Sequence, residues 1–322
     1  MLRLGLALGG ASDAVGWRRL LARAEHAERL GLHSVWVPEM HFRPGAMSSP
    51  LLALSAIAAR TRRLRLGTTS LLLPIHHPLR IAEEVAALDA LSCGRVELGL
   101  GRGFAPAVLE TFGVEAREKR DRFDDALAAI LDAWEAAERA TPGARPALRP
   151  VQRPHPPLLV AAFGRKGLVQ AARHGLPYLA SPIETLDALA ENFSLHRAAL
   201  PAHVDPARLP VPIMRTVFVA RDDARARSVR ASLAHESARI PRGLPPVLAR
   251  AAAEDVSERS LIGTAPAVLD LIARYRERLG MDLLIVRSDP AGVLPEEAQE
   301  SLERLTDEIL PALASRASGA PL

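Results

Sequence analysis

The sequence is poor in cysteine and has no long apolar run. Cys93 is the only cysteine among 322 residues, so an intramolecular disulfide and a cysteine-based metal centre are excluded, and we expect a reducing, cytoplasmic compartment. No stretch of about 18 consecutive apolar residues occurs, so the sequence predicts no membrane-spanning helix. The strand-like run that starts at Leu2 lacks a basic region followed by an apolar core, and we expect no signal peptide.

Aromatic residues and lysines are also scarce. Aromatic residues make up 4% of the chain, so the core must be built from Leu, Val, Ile and Ala. Only Lys119 and Lys166 are lysines among the 41 basic residues, which face 37 acidic ones at a formal net charge of +4. The arginines lie mostly at helical spacing among acidic residues, which is typical of solvated helix faces. Without a basic patch or interleaved aromatic residues, nucleic-acid binding is not indicated.

Short apolar runs alternate with segments of helical spacing along the whole chain. Runs without polar alternation are typical of strands buried on both faces of a parallel sheet. The predicted strands cover residues 2–8, 34–38, 64–73, 96–100, 158–162, 178–180, 211–220 and 283–286. Eight such units predict the α/β class and a single (β/α)8 TIM barrel over 1–322, with an insertion between strands seven and eight. No Gly-x-Gly-x-x-Gly follows the first strand, which argues against a doubly wound dinucleotide fold.

The segment 93–103 ends a predicted strand in alternating glycines, Gly99, Gly101 and Gly103. Glycine at such a turn lets a ligand or another backbone come close. Arg102 is the one charge in this turn, and its planar guanidinium can donate two hydrogen bonds to one phosphate. The alternative interpretation is a tight turn with a solvated arginine.

In a barrel of this kind, functional groups follow the carboxyl ends of the strands. Histidines and apolar residues follow predicted strands two and three, and basic residues follow strands four and five. This distribution suits an anionic cofactor tail on one side and an apolar ring system on the other. The pattern lacks the paired carboxylates of a glycosidase and any cluster of metal ligands.

Three sequence blocks carry a family resemblance. They are Val-Trp-Val-Pro-Glu-Met-His-Phe at 35–42, Gly-Thr-Thr-Ser-Leu-Leu-Leu-Pro at 67–74 and Gly-Leu-Gly-Arg-Gly-Phe at 99–104, with a weaker fourth at 160–164. In this order the chain resembles the bacterial luciferase-like flavin monooxygenases. The resemblance spans nearly the whole chain and implies a (β/α)8 barrel, an FMN cofactor and a homodimer.

The resemblance also implies which residues contact the cofactor. Arg102 occupies the position of the arginine that binds the flavin phosphate, and 164–167 occupies a loop that contacts the same phosphate. A non-proline cis peptide bond under the flavin ring is expected between Thr69 and Ser70. The predicted cofactor-binding residues are Arg102, Thr69, Ser70, Phe163, Gly164, Lys166 and Gly167.

One departure from the family pattern concerns acid–base chemistry. The luciferase α chain has two adjacent histidines after the glutamate, whereas here Met40 replaces the first and only His41 remains. A methionine accepts no proton, so either His41, our predicted catalytic residue, or a group on the substrate carries out the acid–base chemistry, or the reaction needs none from this position. We do not expect a light-emitting reaction. The predicted substrate pocket consists of Met40, Phe42, His76 and His77. Glu39 is expected to be a structural partner of a backbone N–H group or an arginine.

Together these observations predict a monooxygenase that uses reduced FMN and oxygen on a small organic substrate. Because no dinucleotide fingerprint is present, a separate flavin reductase is expected to supply the reduced flavin. Segment 221–263, with its break at Pro241-Arg242-Gly243, is predicted to be a lid. Two alternatives remain open at this point. One is a deazaflavin-dependent oxidoreductase on the same barrel. The other is a non-catalytic flavin-binding subunit, and Met40 in place of a histidine favours this second alternative.

Overall fold

The computed structural model describes residues 2–139, 149–238 and 246–318, in which strands alternate with helices. The strands are β1 (Arg3–Ala7), β2 (Ser34–Val37), β3 (Arg65–Thr68), β4 (Leu71–Leu72), β5 (Val96–Gly101), β6 (Leu158–Ala161), β7 (Tyr178–Leu179), β8 (Pro212–Val219), β9 (Ser260–Gly263) and β10 (Leu283–Arg287). The helices are α1 (Ala14–Arg29), α2 (Pro50–Ala58), α3 (Pro78–Leu91), α4 (Pro106–Thr111), α5 (Lys119–Arg139), α6 (Gly164–Arg173), α7 (Leu186–Ala198), α8 (Asp223–Ser237), α9 (Pro246–Ala253), α10 (Ala265–Leu279), α11 (Pro295–Arg304) and α12 (Leu310–Ser318). Among the described residues, no helix is long and apolar enough to cross a membrane.

The chain folds as two compact units. The first, Leu8–Ala161, is called the N-terminal unit here, and the second, Met1–Ala7 with Ala162–Leu322, the C-terminal unit. In the N-terminal unit β2 pairs with β3, β3 with β5, and β5 with both β4 and β6, all in parallel. The strands are buried over most of their length, so the predicted parallel, two-sided burial is confirmed for this unit.

β2 and β3 pack closely against each other. Trp36 is fully buried, and its indole Nε1 donates a hydrogen bond of 2.8 Å to the hydroxyl of Ser34. Gly67 lies opposite Trp36 in the register. A Cβ atom on Gly67 would lie 2.2 Å from the indole ring, so glycine is required for this close approach.

Two polar residues fix the start of β5, the strand that leads to Arg102. Arg95 donates hydrogen bonds of 2.7 to 3.1 Å to the carbonyls of Ser92, Leu64, Ala58 and Thr61 and to the hydroxyl of Thr61. The buried carboxylate of Asp89 accepts hydrogen bonds from the backbone N–H groups of Val151 and Gln152, at 2.7 and 2.9 Å, and from the side-chain amide of Gln152 at 2.8 Å. These bonds satisfy buried polar groups on both sides of the strand.

In the C-terminal unit β1, β10, β8 and β9 form a parallel sheet in that order, and Ala180 forms a bridge to Ile213 of β8. A buried polar network lies beside β7. The Tyr178 hydroxyl donates a hydrogen bond of 2.6 Å to Glu184, which also accepts from Asn192 at 2.7 Å. Burial raises the pKa of Glu184, and burial together with the neighbouring Glu184 charge raises the pKa of Tyr178.

Three predicted elements need correction. The single strand predicted over 64–73 is two strands, β3 and β4, because the chain turns at Thr69 and Ser70 between them. The last helix, predicted over 296–313, contains a wider π-helical turn at Leu305–Ile309 between α11 and α12. The predicted insertion contains β9, which pairs with β8 and was not among the predicted strands. The Pro241-Arg242-Gly243 break lies outside the described residues.

Candidate active site

A buried carboxylate joins two histidines in the N-terminal unit. Glu39 follows β2, and its side chain is 0% exposed. Its Oε1 accepts hydrogen bonds from Nε2 of His41 at 3.0 Å and from Nε2 of His76 at 2.7 Å. Its Oε2 accepts a hydrogen bond of 2.6 Å from the backbone N–H of Leu72. The expected bond from a backbone N–H group to Glu39 is confirmed, and the two histidine bonds are additional.

This arrangement fixes which nitrogen of each imidazole carries a proton. A carboxylate accepts hydrogen bonds, so Nε2 of both His41 and His76 must be protonated when Glu39 is ionised. This leaves Nδ1 of each neutral ring as the nitrogen that can accept a proton. The structure brings together His41 and His76 through Glu39. His77 does not join them: it is exposed and precedes α3, and its carbonyl accepts a hydrogen bond of 3.2 Å from the backbone N–H of Ile81 in that helix.

Aromatic rings surround His41. Its imidazole meets the Phe112 ring edge-on, with ring centroids 4.8 Å apart, and lies 5.7 Å from the Phe42 ring. Phe42 and Phe112 stack on each other at 5.6 Å. Phe112 follows the short helix α4, which the sequence pattern did not predict, so its proximity to His41 could not be foreseen. Met40 lies partly buried in the same loop, and its sulfur contacts Arg43.

The predicted flavin-facing turn has the expected backbone geometry. The peptide bond between Thr69 and Ser70 is cis, as the resemblance implies. A Cβ atom on Gly101 would lie 2.0 Å from the Ser70 hydroxyl oxygen, so Gly101 makes room for this side chain. Gly99 and Gly101 pair with Leu159 and Leu72 inside the sheet. The glycine turn is therefore shorter than predicted, because two of its three glycines lie within β5.

Arg102, directly after β5, is not a solvated arginine. Only 8% of its surface is exposed, its Nη2 donates a hydrogen bond of 3.1 Å to the carbonyl of Ala161, and its guanidinium lies 5.8 Å from the centre of the Phe123 ring. Burial and the positive charge of Arg120 lower its pKa to about 10, while Asp124 acts in the opposite direction. The solvated-arginine alternative is therefore wrong.

Sequence reasoning missed two further cations, Lys119 and Arg120, that interact electrostatically with one another and with Arg102. Lys119, the first residue of α5, donates a hydrogen bond of 3.1 Å from Nζ to the carbonyl of Gly103. Burial and the charges of Arg120 and Arg102 lower the pKa of Lys119. We call Arg102, Lys119 and Arg120 the basic cluster. Like charges gathered at a partly buried position favour an anionic ligand, and a phosphate dianion would relieve their repulsion. The residues present therefore fit a flavin phosphate.

The β4–β5 pairing connects the basic cluster to the histidines. Leu72, whose N–H group is held by Glu39, lies opposite Gly101, and Arg102 is the next residue. The basic cluster and the two histidines thus lie at the same ends of parallel strands, where α/β enzymes place their sites. Among the described residues, no cluster of His, Cys, Asp or Glu could hold a metal ion.

The remaining predicted cofactor residues belong to the C-terminal unit. Phe163 precedes α6, which begins at Gly164, a residue with a φ of +67°. Lys166 is exposed in the first turn of this helix, and Gly167 is buried. A helix amino terminus with a nearby cation suits a phosphate. The assignment of these four residues to the cofactor stays a prediction.

Known proteins resemble this chain over most of its length. The profile of the family described as luciferase-like monooxygenase matches residues 4–283. The chain is 27% identical over 316 residues to the oxygenase component of flavin-dependent trigonelline monooxygenase from Acinetobacter baylyi, covering 89% of this chain and 87% of that protein. It is 40% identical over 163 residues to the uncharacterized protein y4wF of Sinorhizobium fredii, and this match spans about half of each protein, 48% of both.

Solved structures show the same fold. Monooxygenase RslO1 from Streptomyces bottropensis is 28% identical and superposes with a TM-score of 0.77 over 97% of this chain and 99% of that chain. The oxygenating constituent of 3,6-diketocamphane monooxygenase from Pseudomonas putida, solved with FMN, has a TM-score of 0.78 at 19% identity over 96% and 98% of the two chains. An F420-dependent secondary alcohol dehydrogenase has a TM-score of 0.72 at 20% identity over 97% and 99%. The chain therefore belongs to the luciferase-like monooxygenase family and is an oxidoreductase of the monooxygenase class.

Proposed function

We propose that this enzyme is the FMN-dependent oxygenase component of a two-component system that oxidises a small organic molecule. The observation that carries the proposal is the basic cluster at the end of β5. Arg102 is 8% exposed beside Arg120 and Lys119. Guanidinium and ammonium groups gathered at one strand end suit a doubly negative phosphate ester, and FMN carries such a group.

In this proposal FMN, when bound and reduced, supplies the electrons for oxygen activation. Arg102 binds the phosphate, supported by Lys119 and Arg120. Thr69 and Ser70 border the flavin ring. His41 holds or moves a proton at Nδ1, since its Nε2 donates to Glu39. The same bond argues against the alternative of a non-catalytic flavin-binding subunit, because a buried carboxylate that orients histidines is typical of acid–base sites.

The need for reduced flavin indicates a partner protein that supplies it. A dinucleotide fingerprint is lacking in the sequence, and the trigonelline relative is named an oxygenase component. We therefore propose that a separate reductase delivers the reduced flavin. The homodimer, the closure of a (β/α)8 barrel and the lid at 221–263 stay predictions.

A flavin titration tests the proposal. The apoprotein and the variants Arg102→Met and Arg102→Lys are titrated with FMN and with riboflavin, which lacks the phosphate. We expect Arg102→Met to weaken FMN binding roughly 30-fold or more, because truncating one partner of a buried charge pair costs about 2–5 kcal/mol. Riboflavin binding should not change. Arg102→Lys should lie between, since lysine keeps the charge but loses the planar fork.

The matched control is Arg80→Met, which removes an exposed arginine paired with Glu84 at 2.7 Å on α3. It should leave both affinities unchanged. Equal losses for FMN and riboflavin in Arg102→Met, or no loss for either, would overturn the phosphate assignment. Titration with a deazaflavin under the same conditions separates the second candidate, and Lys166→Met tests the predicted contribution of the C-terminal unit.

A further inference from the structure

Two exposed phenylalanines lie beside the buried histidine of the site. Phe42 is 66% exposed and Phe112 is 41% exposed, yet the two rings stack at 5.6 Å with an interplanar angle of 29°. Single exposed apolar side chains are common on protein surfaces. A stacked pair that also contacts His41 is different, because it places two exposed apolar rings next to a proton-carrying group. We call Phe42 and Phe112 the aromatic shelf.

Phe42 has a strained backbone conformation. Its φ of +55° lies in the left-handed region, where glycine or asparagine is expected and a bulky residue is strained. The surrounding turn holds it there: Met40 N–H donates to the Met47 carbonyl at 2.7 Å, and Ala46 N–H donates to the Arg43 carbonyl at 3.1 Å. Strain that persists at an exposed aromatic residue in a site points to a function for the ring.

Glu39 determines which nitrogen of His41, next to the shelf, carries the proton. Since Glu39 holds Nε2–H of His41, the ligand-directed nitrogen is Nδ1, a proton acceptor in the neutral ring. The imidazole and the Phe112 ring pack in a T-shaped arrangement with centroids 4.8 Å apart, so His41 lies directly against the shelf. A ligand on the shelf therefore has an aromatic surface below it and a proton acceptor at one side.

We infer that the substrate is a planar aromatic ring that carries a hydroxyl group. This inference rests on the proposed function and names the substrate class of the same site. The ring stacks on the aromatic shelf, and its hydroxyl group faces Nδ1 of His41. Proton transfer breaks the substrate O–H bond and forms an N–H bond at Nδ1. The products are a phenolate and an imidazolium, and the Glu39 carboxylate compensates the imidazolium charge.

Binding measurements with matched probes test the substrate class. The probes are 2-naphthol, naphthalene, which lacks the hydroxyl, and decahydro-2-naphthol, which has the hydroxyl on a saturated ring. Binding is measured by calorimetry with and without FMN, so that the result is independent of turnover and of flavin affinity. We expect 2-naphthol to bind more tightly than either analogue. In Phe42→Leu and Phe112→Leu, which keep an apolar side chain, 2-naphthol affinity should fall about 2- to 12-fold and decahydro-2-naphthol affinity should not.

The control variant is Phe104→Leu, which changes a third exposed phenylalanine, 47% exposed, outside the shelf. It should bind all probes as the wild type does. In His41→Ala, the preference for 2-naphthol over naphthalene should disappear, and the fluorescence of bound naphtholate, visible with the wild type, should be lost.

Equal binding of the saturated and aromatic probes, or no binding of 2-naphthol in either flavin state, would overturn the inference. These outcomes leave the proposed function standing, because the phosphate assignment is tested through Arg102 alone. Conversely, loss of the Arg102 effect leaves the probe preferences intact. The two failures are therefore distinguishable.

Discussion

Substitution of Glu39 by glutamine removes one charge from the site and keeps its shape. Glu39 accepts three hydrogen bonds, two at Oε1 from His41 and His76 and one at Oε2 from the Leu72 backbone. A glutamine has one oxygen and one NH2 group. If the glutamine oxygen accepts the hydrogen bonds from the two histidines, its NH2 group lies against the Leu72 N–H. Both of these groups are donors, so the hydrogen bond to Leu72 is lost.

The magnitude follows from burial. The Glu39 side chain is 0% exposed, so water cannot replace the lost acceptor. Leaving one buried donor unsatisfied costs about 1–3 kcal/mol, and we expect Glu39→Gln to lower the free energy of unfolding by that amount. Loss of the carboxylate also removes the charge that stabilises an imidazolium at His41. Since positioned acid–base catalysis contributes about 10²- to 10⁴-fold, we expect kcat to fall at least tenfold.

Three measurements distinguish a positioning role of Glu39 from a purely structural role. Urea unfolding gives the stability loss, steady-state kinetics give kcat and KM, and ¹⁵N NMR of the imidazoles reports which nitrogen of His41 and His76 carries the proton. A purely structural Glu39 would lower stability with an unchanged kcat and unchanged imidazole signals. The positioning role predicts a lower kcat, a nearly constant KM and a loss of the Nε2–H tautomer.

The matched control is Glu84→Gln on α3, where the carboxylate is partly exposed and pairs with Arg80. Exposed pairs contribute about 0–1 kcal/mol, so this variant should behave like the wild type. If Glu39→Gln retained wild-type stability, kcat and imidazole signals, the assignment of Glu39 as a positioning residue would be refuted.

Two further predictions concern buried carboxylates away from the proposed chemistry. Burial raises the pKa of Glu184 above its ordinary value, so the folded state binds more protons than the unfolded state between the two values, and the contribution of Glu184 to stability falls as pH rises through this range. Thermal melts of wild type and Glu184→Gln between about pH 4 and pH 8 should therefore show the stability difference, wild type minus variant, decreasing with pH; a constant difference would contradict this. Asp89→Ala removes the acceptor of three hydrogen bonds from Val151 and Gln152. We expect urea unfolding to show that the free energy of unfolding falls by about 3–5 kcal/mol. A fall of less than about 1 kcal/mol would mean that water replaces the carboxylate as acceptor.

Much of the fold could be predicted from sequence, because the strands of a parallel sheet are short apolar runs bounded by turn residues. The strands around Trp36, Leu98 and Leu284 were found this way, and their parallel pairing is confirmed in each unit. The split between β3 and β4 was missed, since the turn at Ser70 interrupts an otherwise continuous apolar run. Hydrophobic periodicity does not report a local change of backbone direction.

The candidate site was predicted in part. Arg102 stood out as a lone charge among glycines, but its burial was not predicted, because a solvated arginine fits the same pattern. Lys119 and Arg120 could not be selected, because in sequence they belong to a long amphipathic helix with many similar charges. Only the fold brings the start of α5 next to Gly103.

The bonds of Glu39 to two histidines were also beyond sequence reasoning. His41 lies two residues away in the chain, but His76 lies 37 residues away and is brought to Glu39 by the turn after β4. A lone glutamate between apolar residues more often binds a backbone N–H group, and Glu39 does this as well at Leu72. The functional part of its environment depends on tertiary contacts that no local pattern encodes.

The contact between Gly67 and Trp36 has a consequence for directed evolution of this enzyme. The indole ring occupies the space that any side chain at position 67 would need, with only 2.2 Å to a Cβ atom. Libraries that vary position 67 alone will recover glycine. Libraries that also replace residue 36 by a smaller side chain make room for other residues at position 67. Redesign of the neighbouring loop at Met40 should therefore treat these two positions as a single unit of variation.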